Sequence, residues 1–442
     1  MIRGRRAVVK GERSAPDFIH HLQRTAAKSG VSWKCPEDDG MLSVDEQLTL
    51  IQRGTDRIEP IAELRKKLER SVGTGKPLRV KYGIDPTGFD VHLGHTVPLR
   101  KLRLFQELGH QAVLIIGDYT ALVGDPSGRD QSRAGLTPAQ VEANAKNYLT
   151  QISKIIDIDK ADRHFNGDWF RRMTFLEVMR LTGKITVQRI LERDEFQKRI
   201  REGIPISLHE CLYPLMQGQD SVEINADIEL GGSEQLFNLM MGRRLQEDAK
   251  QEPQICITMP ILRGLDGHRK MGKSLNNYIG VGESAKDQFG KTMSIPDDLM
   301  REWFTLLTDR TQDDIGALLA GHPNEAKKTL ATDIVSFYYG DDTARLARAD
   351  FEKQFHGKQD PDVIDEVAIP AAELADGKLR ASKLLVLAGL AASNKEAQRK
   401  IAEGAANVGP DRRKLGDPAE ALAVESGLIV RLGRKIVRVR VN

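Results

Sequence analysis

Cysteine is scarce in this chain: Cys35, Cys211 and Cys256 are the only three in 442 residues, and no two form a CxxC pair. That argues against a zinc ribbon or a disulfide framework and suits a reducing cytoplasm. Long apolar runs are missing as well. None approaches the roughly 20 residues needed to cross a bilayer, so no membrane span is expected. The basic start (Arg3, Arg5, Arg6, Lys10, Arg13) has no apolar stretch behind it, which argues against a secretory signal. Internal repeats and low-complexity tracts are absent too.

What is present is an ordinary soluble composition, 40% apolar and 29% charged. The length is that of two or three domains. The net charge of +3 is unevenly spread: residues 380–442 carry 13 Lys/Arg against 6 Asp/Glu, a local +7 that leaves −4 for the rest. A basic tail on a near-neutral body points to a polyanion-binding appendage, the plainer reading being a solvated charged face.

Residues 1–40 show no sustained periodicity. After Met41, Ser43 and Glu46 have the spacing of a capping box ahead of Leu48, Leu50 and Ile51. Met41 is therefore expected to be a second start, with 1–40 an extension that is disordered or not made. From Leu78 the pattern is α/β: strand Leu78–Ile84, helix His95–Leu108, strand Gln111–Gly117, which together predict a βαβ unit and a parallel sheet. Residues 137–210, opened by Thr137-Pro138, read as a helical insertion, and Val222–Leu230 and Ile255–Leu262 as further strands. The expected layout is a catalytic nucleotide-binding domain over 41–285, a helical domain over 286–360, a linker over 361–378 and a small basic α+β unit over 379–442. In that last unit Ser393 and Glu396 start a helix that ends at Gly404. Ile429–Val441 reads as a strand pair with Arg431, Lys435, Arg438 and Arg440 on a solvent face.

Two short segments carry the chemistry. His92-Leu93-Gly94-His95 falls just after the first strand and its Asp85-Pro86-Thr87 turn, at the mouth of a helix, where unpaired N–H groups and a partial positive charge make a phosphate site. The histidines add donors to a phosphoryl group, and Gly94 lets a ligand approach the backbone. A metal pair is disfavoured, because no carboxylate or cysteine lies at zincin spacing. The second segment, Lys270-Met271-Gly272-Lys273-Ser274, also spells G-x-x-x-x-G-K-[ST] from Gly267 to Ser274. That phosphate loop needs a helix beginning at its Lys-Ser pair. Here Leu-Asn-Asn-Tyr-Ile-Gly follows, without an apolar stripe. A flexible loop carrying two lysines to a triphosphate fits better.

HLGH and KMGKS, about 180 residues apart and in this order, resemble the HIGH and KMSKS signatures of class I aminoacyl-tRNA synthetases. Over residues 42–442 the chain is similar to the bacterial tyrosyl family, with Rossmann-like, helical and S-four-like RNA-binding parts. Gly124–Arg129 resembles that family's GDPSG loop, Tyr213–Asp220 its YxxxQxxD element, and Gly231–Gln235 its GGSDQ turn. The resemblance implies that Asp220 accepts the substrate's phenolic hydroxyl. It gives Asp125, Tyr213 and Gln217 to the ammonium, with Gln235 in the same amino-acid set. Thr87, His92, His95, Lys270 and Lys273 would meet the developing phosphate charge, and Arg129 and Arg133 the pyrophosphate end. Asp85, Gly94, Gly231 and Glu234 would border the nucleotide. It further implies L-tyrosine, ATP with magnesium and tRNA(Tyr) as ligands, no protein metal site or prosthetic group, and a homodimer joined through the insertion.

Three positions depart from the family pattern. Lys81 stands where a first-strand tyrosine is common, and Tyr82, one residue late, faces the other side of a strand. Glu234 replaces an aspartate, and Gly218-Gln219 replaces Ala-Tyr, which is expected to loosen the wall beside Asp220. The tryptophanyl branch is the nearest alternative, opposed by the basic tail and by Asp220. A non-catalytic RNA-binding relative is the alternative of another class.

Overall fold

Runs rich in β-branched and aliphatic residues form the strands that carry the site. A computed structural model describes residues 42–88, 90–126, 136–356, 364–433 and 435–442. The expectations for residues 1–40 and for Arg129 and Arg133 lie outside these. The described residues fold as two compact units, divided between Arg348 and Ala349.

The first unit is built on a six-stranded sheet. Its strands are β1 (Arg57–Glu59), β2 (Arg79–Ile84), β3 (Gln111–Ile116), β4 (Asp162–Phe165), β5 (Ile228–Gly232) and β6 (Ile255–Met259), in the spatial order β1-β6-β5-β2-β3-β4. All neighbours are parallel except β1, which pairs antiparallel with β6. The order reverses direction at β2, since β3 and β5 lie on its two sides. In such sheets ligands bind beyond the carboxyl ends of the strands at that switch point.

Several expected elements are displaced. The predicted strand Val222–Leu230 is a helix over Tyr213–Ile224 followed by β5, because Asn225 takes a left-handed φ of 50° and stops the helix. The insertion is not wholly helical: β4 lies inside 137–210 and extends the main sheet beside β3. The helix Pro138–Ile152, capped by Thr137, buries Ala145, Tyr148 and Ile152 in the main core. The inserted helices proper follow β4 and share a smaller cluster (Leu181, Ile190, Phe196) with Leu215, Met241 and Leu245. No break in packing falls at 285. Ile295, Trp303, Phe304, Leu330 and Ile334 belong to the same buried cluster as the sheet.

The second unit has its own core, with Ile369, Leu384, Ile401, Val430 and Val439 among its members. Its main sheet runs β10-β9-β12-β13-β7, from β7 (Glu366–Ile369), β9 (Ala406–Val408), β10 (Arg413–Lys414), β12 (Ile429–Leu432) and β13 (Lys435–Val441). A separate pair joins β8 (Lys378–Arg380) to β11 (Ala421–Ala423). β7 therefore corrects the predicted 361–378 linker: it pairs parallel with β13 and buries Ile369. The helix Asn394–Ala402 is capped by the Ser393 side chain, and β12 and β13 are an antiparallel pair as expected. Arg431 leaves the expected basic face; it is 6% exposed and donates to the Gly409 carbonyl at 2.6 Å.

Candidate active site

A cleft of about 700 Å³ opens at the carboxyl ends of β2 and β5. It gathers the sequence-chosen residues Asp85, Thr87, His92, His95, Asp125, Tyr213, Gln217, Asp220, Glu234, Gln235, Lys270 and Lys273. Gly94 and Gly231 line it too.

At one end stand the histidines. His92 caps the 15-residue helix Leu93–Glu107, and its backbone N–H donates to His95 Nδ1 at 3.3 Å. The two rings stack with centroids 3.7 Å apart. Burial, the neighbouring ring and Lys273 push His92 down to about 2; burial and Lys273 hold His95 at about 4. Both imidazoles are therefore neutral donors at pH 7. A Cβ at Gly94 would lie 3.1 Å from the His92 ring, so this glycine makes room for the histidine as well as for a ligand.

The lysine loop is tied to the same helix mouth. Leu93 N–H donates to the Ile279 carbonyl at 2.9 Å, and Val281 N–H to Val91 at 2.8 Å. Within the loop, buried Asn277 takes the Gly272 N–H at 2.9 Å and donates to Asp266 and to the Lys270 carbonyl. Lys273 reaches Asp90 at 3.8 Å. After Gly272 comes only a three-residue 3-10 turn, Lys273–Leu275, and the next α-helix starts at Ala285. The phosphate-loop reading fails for want of its helix.

At the other end Asp220 is buried by the helix Tyr213–Ile224, which turns Tyr213, Gln217 and Asp220 inward on one face. Trp169 Nε1 donates to Asp220 Oδ1 at 3.0 Å, and Asn166 Nδ2 lies 3.4 Å from Oδ2. Asn166 is held in place by the Tyr119 N–H on its Oδ1 and by Thr120 Oγ1. Burial pushes the Asp220 carboxyl up to about 7, opposed by Lys81, Asn166 and Trp169. Sequence reasoning missed Asn166 and Trp169. They follow β4 in a stretch read only as insertion, and no spacing rule connects them to residue 220.

Asp85, expected beside the nucleotide, lines the cleft and accepts from Tyr213 Oη at 2.9 Å and Thr120 Oγ1 at 2.7 Å. Only glycine fits at 117, where a Cβ would overlap both the Asp85 carboxylate and Thr120. Burial and the carboxylates Asp85 and Asp125 hold the Tyr213 phenol well above its ordinary range, so it stays a donor. Asp125 receives Gln235 Nε2 at 2.6 Å and Arg193 at 3.4 Å. Lodged in the cleft with Asp125 nearby, Glu234 has its carboxyl raised by burial, and Lys270 opposes the rise.

Lys81 does not enter the cleft. It is fully buried on the face toward the helix Tyr213–Ile224. Tyr82 turns the other way and lines both the cleft and a side recess of about 160 Å³ shared with Thr87, His95 and Tyr148. Strand alternation thus prevents Tyr82 from taking the role vacated at 81. Gly218 tightens its wall, contrary to expectation. A Cβ there would meet Leu245 Cδ1 at 2.9 Å and the Met241 carbonyl carbon at 3.1 Å, so glycine lets the helices Tyr213–Ile224 and Leu236–Asp248 pack closely.

A parallel sheet with a switch-point cleft, helix-mouth histidines and a two-lysine loop is the arrangement of class I aminoacyl-tRNA synthetases. A family model described as tRNA synthetases class I (W and Y) matches residues 74–356. The tyrosine–tRNA ligase of Symbiobacterium thermophilum is 50% identical over 400 residues, covering 89% of this chain and 97% of its own. That of Moorella thermoacetica is 45% identical over 398 residues, covering 89% and 95%. Among solved structures, the truncated mitochondrial tyrosyl-tRNA synthetase of Aspergillus nidulans superposes with a TM-score of 0.58 at 22% identity, over 77% of this chain and 100% of that one. The chain belongs to the bacterial-type tyrosyl-tRNA synthetase family.

Proposed function

We infer that this chain joins L-tyrosine to tRNA(Tyr) in two steps within the one cleft. The observation that carries the reading is the buried Asp220, an acceptor at the end of a cleft whose opposite end holds neutral histidines and two lysines. A phenol satisfies that acceptor and phenylalanine leaves it unpaired, a discrimination that costs the wrong substrate a buried hydrogen bond. Asn166 and Trp169 both donate to Asp220 and brace it. Asp125, Tyr213, Gln217 and Gln235 form the polar set for the ammonium.

In the first step a tyrosine carboxylate oxygen attacks the α-phosphorus of ATP, and the bond to the β-phosphate breaks, releasing pyrophosphate. Charge gathering on the phosphoryl oxygens is met by the helix mouth at Gly94, the neutral imidazoles, Thr87, Lys270 and Lys273. Arg129 and Arg133 serve the pyrophosphate, and Gly94, Gly231 and Glu234 border the nucleotide. Magnesium travels with ATP. In the second step a terminal ribose hydroxyl of the tRNA attacks the adenylate carbonyl and AMP leaves. Neither step uses a protein nucleophile; the work is positioning and charge stabilisation.

ATP–pyrophosphate exchange tests the reading. Tyrosine is expected to drive it, and exchange with tryptophan alone would end the assignment. Lys273→Ala is expected to slow adenylate formation about 100-fold with tyrosine binding intact, checked by single-turnover kinetics against equilibrium dialysis. The basic C-terminal unit binds tRNA through phosphate contacts, and the enzyme works in the cytoplasm as a homodimer. Support for the dimer comes from the exposed apolar side chains of the insertion, with Phe175 and Leu208 each 79% exposed beside Leu176, Met179 and Val187. Phe175→Glu with Leu208→Glu is expected to yield monomers by sedimentation; a wild-type chain that sediments as a monomer refutes the dimer.

A further inference from the structure

Two opposite charges sit in the middle of neighbouring buried strands. Lys81 of β2 and Glu229 of β5 are register partners in the parallel ladder, 0% and 1% exposed at their side chains, with Lys81 Nζ 2.8 Å from Glu229 Oε1. An ion pair this deep adds little stability over apolar residues of similar volume, so its retention asks for another reason. Among its further partners, Gln217 lines the amino-acid end of the cleft. Lys81 Nζ donates to the Gln217 carbonyl and to Ser221 Oγ, each at 2.7 Å, bracketing Asp220 on the helix. Glu229 Oε1 accepts from Gln217 Nε2 at 3.0 Å. Glu229 Oε2 accepts from Ser221 and Gln254.

From Gln217 the polar chain continues without interruption. Asn238 Nδ2 donates to Gln217 Oε1 and to Gln235 Oε1, both at 2.9 Å, and Gln235 Nε2 donates to Asp125 at 2.6 Å. Glu229 Oε1 takes the Gln217 Nε2 donor, so the Gln217 amide presents nitrogen to it and oxygen to Asn238. The Gln217 amide is therefore oriented from the Lys81 end, while Gln235, oriented by Asp125, joins it through Asn238.

We propose that Lys81 is a positioning residue for tyrosine selection: through Glu229 it orients the Gln217 amide, and it supplies the positive charge that faces Asp220. The proposal rests on the tyrosine reading above. The groups around Asp220 are Lys81 from β2, Glu229 from β5, Asn166 and Trp169 from the segment after β4, and Tyr213 on its own helix. Lys81 is the one cation in this set and the strongest opponent of the rise that burial imposes on Asp220.

The test uses the full chain in ATP–pyrophosphate exchange with tyrosine and with phenylalanine, from about pH 6 to about pH 9. Lys81→Met strands Glu229 in the core and can fail by unfolding. The variant Lys81→Met/Glu229→Leu replaces the pair with apolar volume and keeps the comparison readable. In the double variant the KM for tyrosine is expected to rise about tenfold at pH 7, with kcat and the KM for ATP nearly unchanged. The pH midpoint of the tyrosine KM is expected to move up by about one unit, and phenylalanine use to stay as in wild type. A double variant with wild-type tyrosine KM and midpoint overturns the proposal. So does an equal rise for tyrosine, phenylalanine and ATP, which marks a merely structural pair. Wild-type chain that exchanges with no tyrosine at all removes the underlying reading instead, a separate outcome.

Discussion

Asp220 shows how burial sets the working range of a single carboxylate. Its folded-state value near 7 lies above the ordinary one, so lowering the pH below 7 protonates it in the free protein. The carboxylate is the better acceptor for a phenol, so kcat/KM for tyrosine is expected to climb through about pH 7 and level above it. A pH series that is flat from about 6 to 8 would contradict this. Asp220→Asn is expected to cost tyrosine about 10- to 100-fold in kcat/KM while leaving phenylalanine nearly untouched, read by exchange with each. The histidines run the opposite way. Their folded values, about 2 and about 4, lie below the unfolded one near 6.5, so the unfolded chain binds more protons in the window between. Stability is present above about pH 6.5 and is lost as the pH falls toward 4. His95→Asn is expected to flatten that slope by up to about 1.4 kcal/mol per pH unit, measured as urea midpoints at pH 7 and pH 5.

Elements make the site by their closeness. Gly218 lets the helix carrying Tyr213, Gln217 and Asp220 press against the helix carrying Asn238. Gly218→Val inserts methyl groups where backbone stands. It is expected to cost about 1–3 kcal/mol in thermal or denaturant unfolding and to raise the KM for tyrosine, with the KM for ATP unmoved. The lysine loop depends on one buried amide. Asn277 satisfies Gly272 N–H, the Lys270 carbonyl and Asp266 together, so Asn277→Ala leaves the loop without its clasp. Adenylate formation is expected to fall at least tenfold while tyrosine binding persists, as stopped-flow and dialysis would report.

Across the molecule there are two units with separate cores, and on the proposed function the first activates the amino acid while the second holds tRNA. A chain ending at His356 is expected to keep ATP–pyrophosphate exchange and to lose most tRNA charging. Rising salt should weaken charging of the full chain far more than exchange, because phosphate contacts release counterions and the cleft chemistry does not.

Local patterns were enough to expect a βαβ start, capped helices at Ser43, Thr137 and Ser393, the β12–β13 pair and a helix opening at His92. Each of these is a short-range consequence of side-chain period, cap chemistry or backbone dipoles, so neighbouring letters carry it. The spacing of Tyr213, Gln217 and Asp220 on one helical face was legible for the same reason. Contacts between distant segments were not. Asn166 and Trp169 meet Asp220 only because β4 joins the sheet, and Asp85 meets Tyr213 only across the switch point. One such contact has a trace in the letters that went unread: opposite charges at Lys81 and Glu229, inside two strands that the structure pairs in parallel. A lone charge in an apolar strand says only that a partner must exist, since burial without one is too costly. Which partner it is, and that it stands beneath the amino-acid pocket, was decided by strand order in the folded sheet.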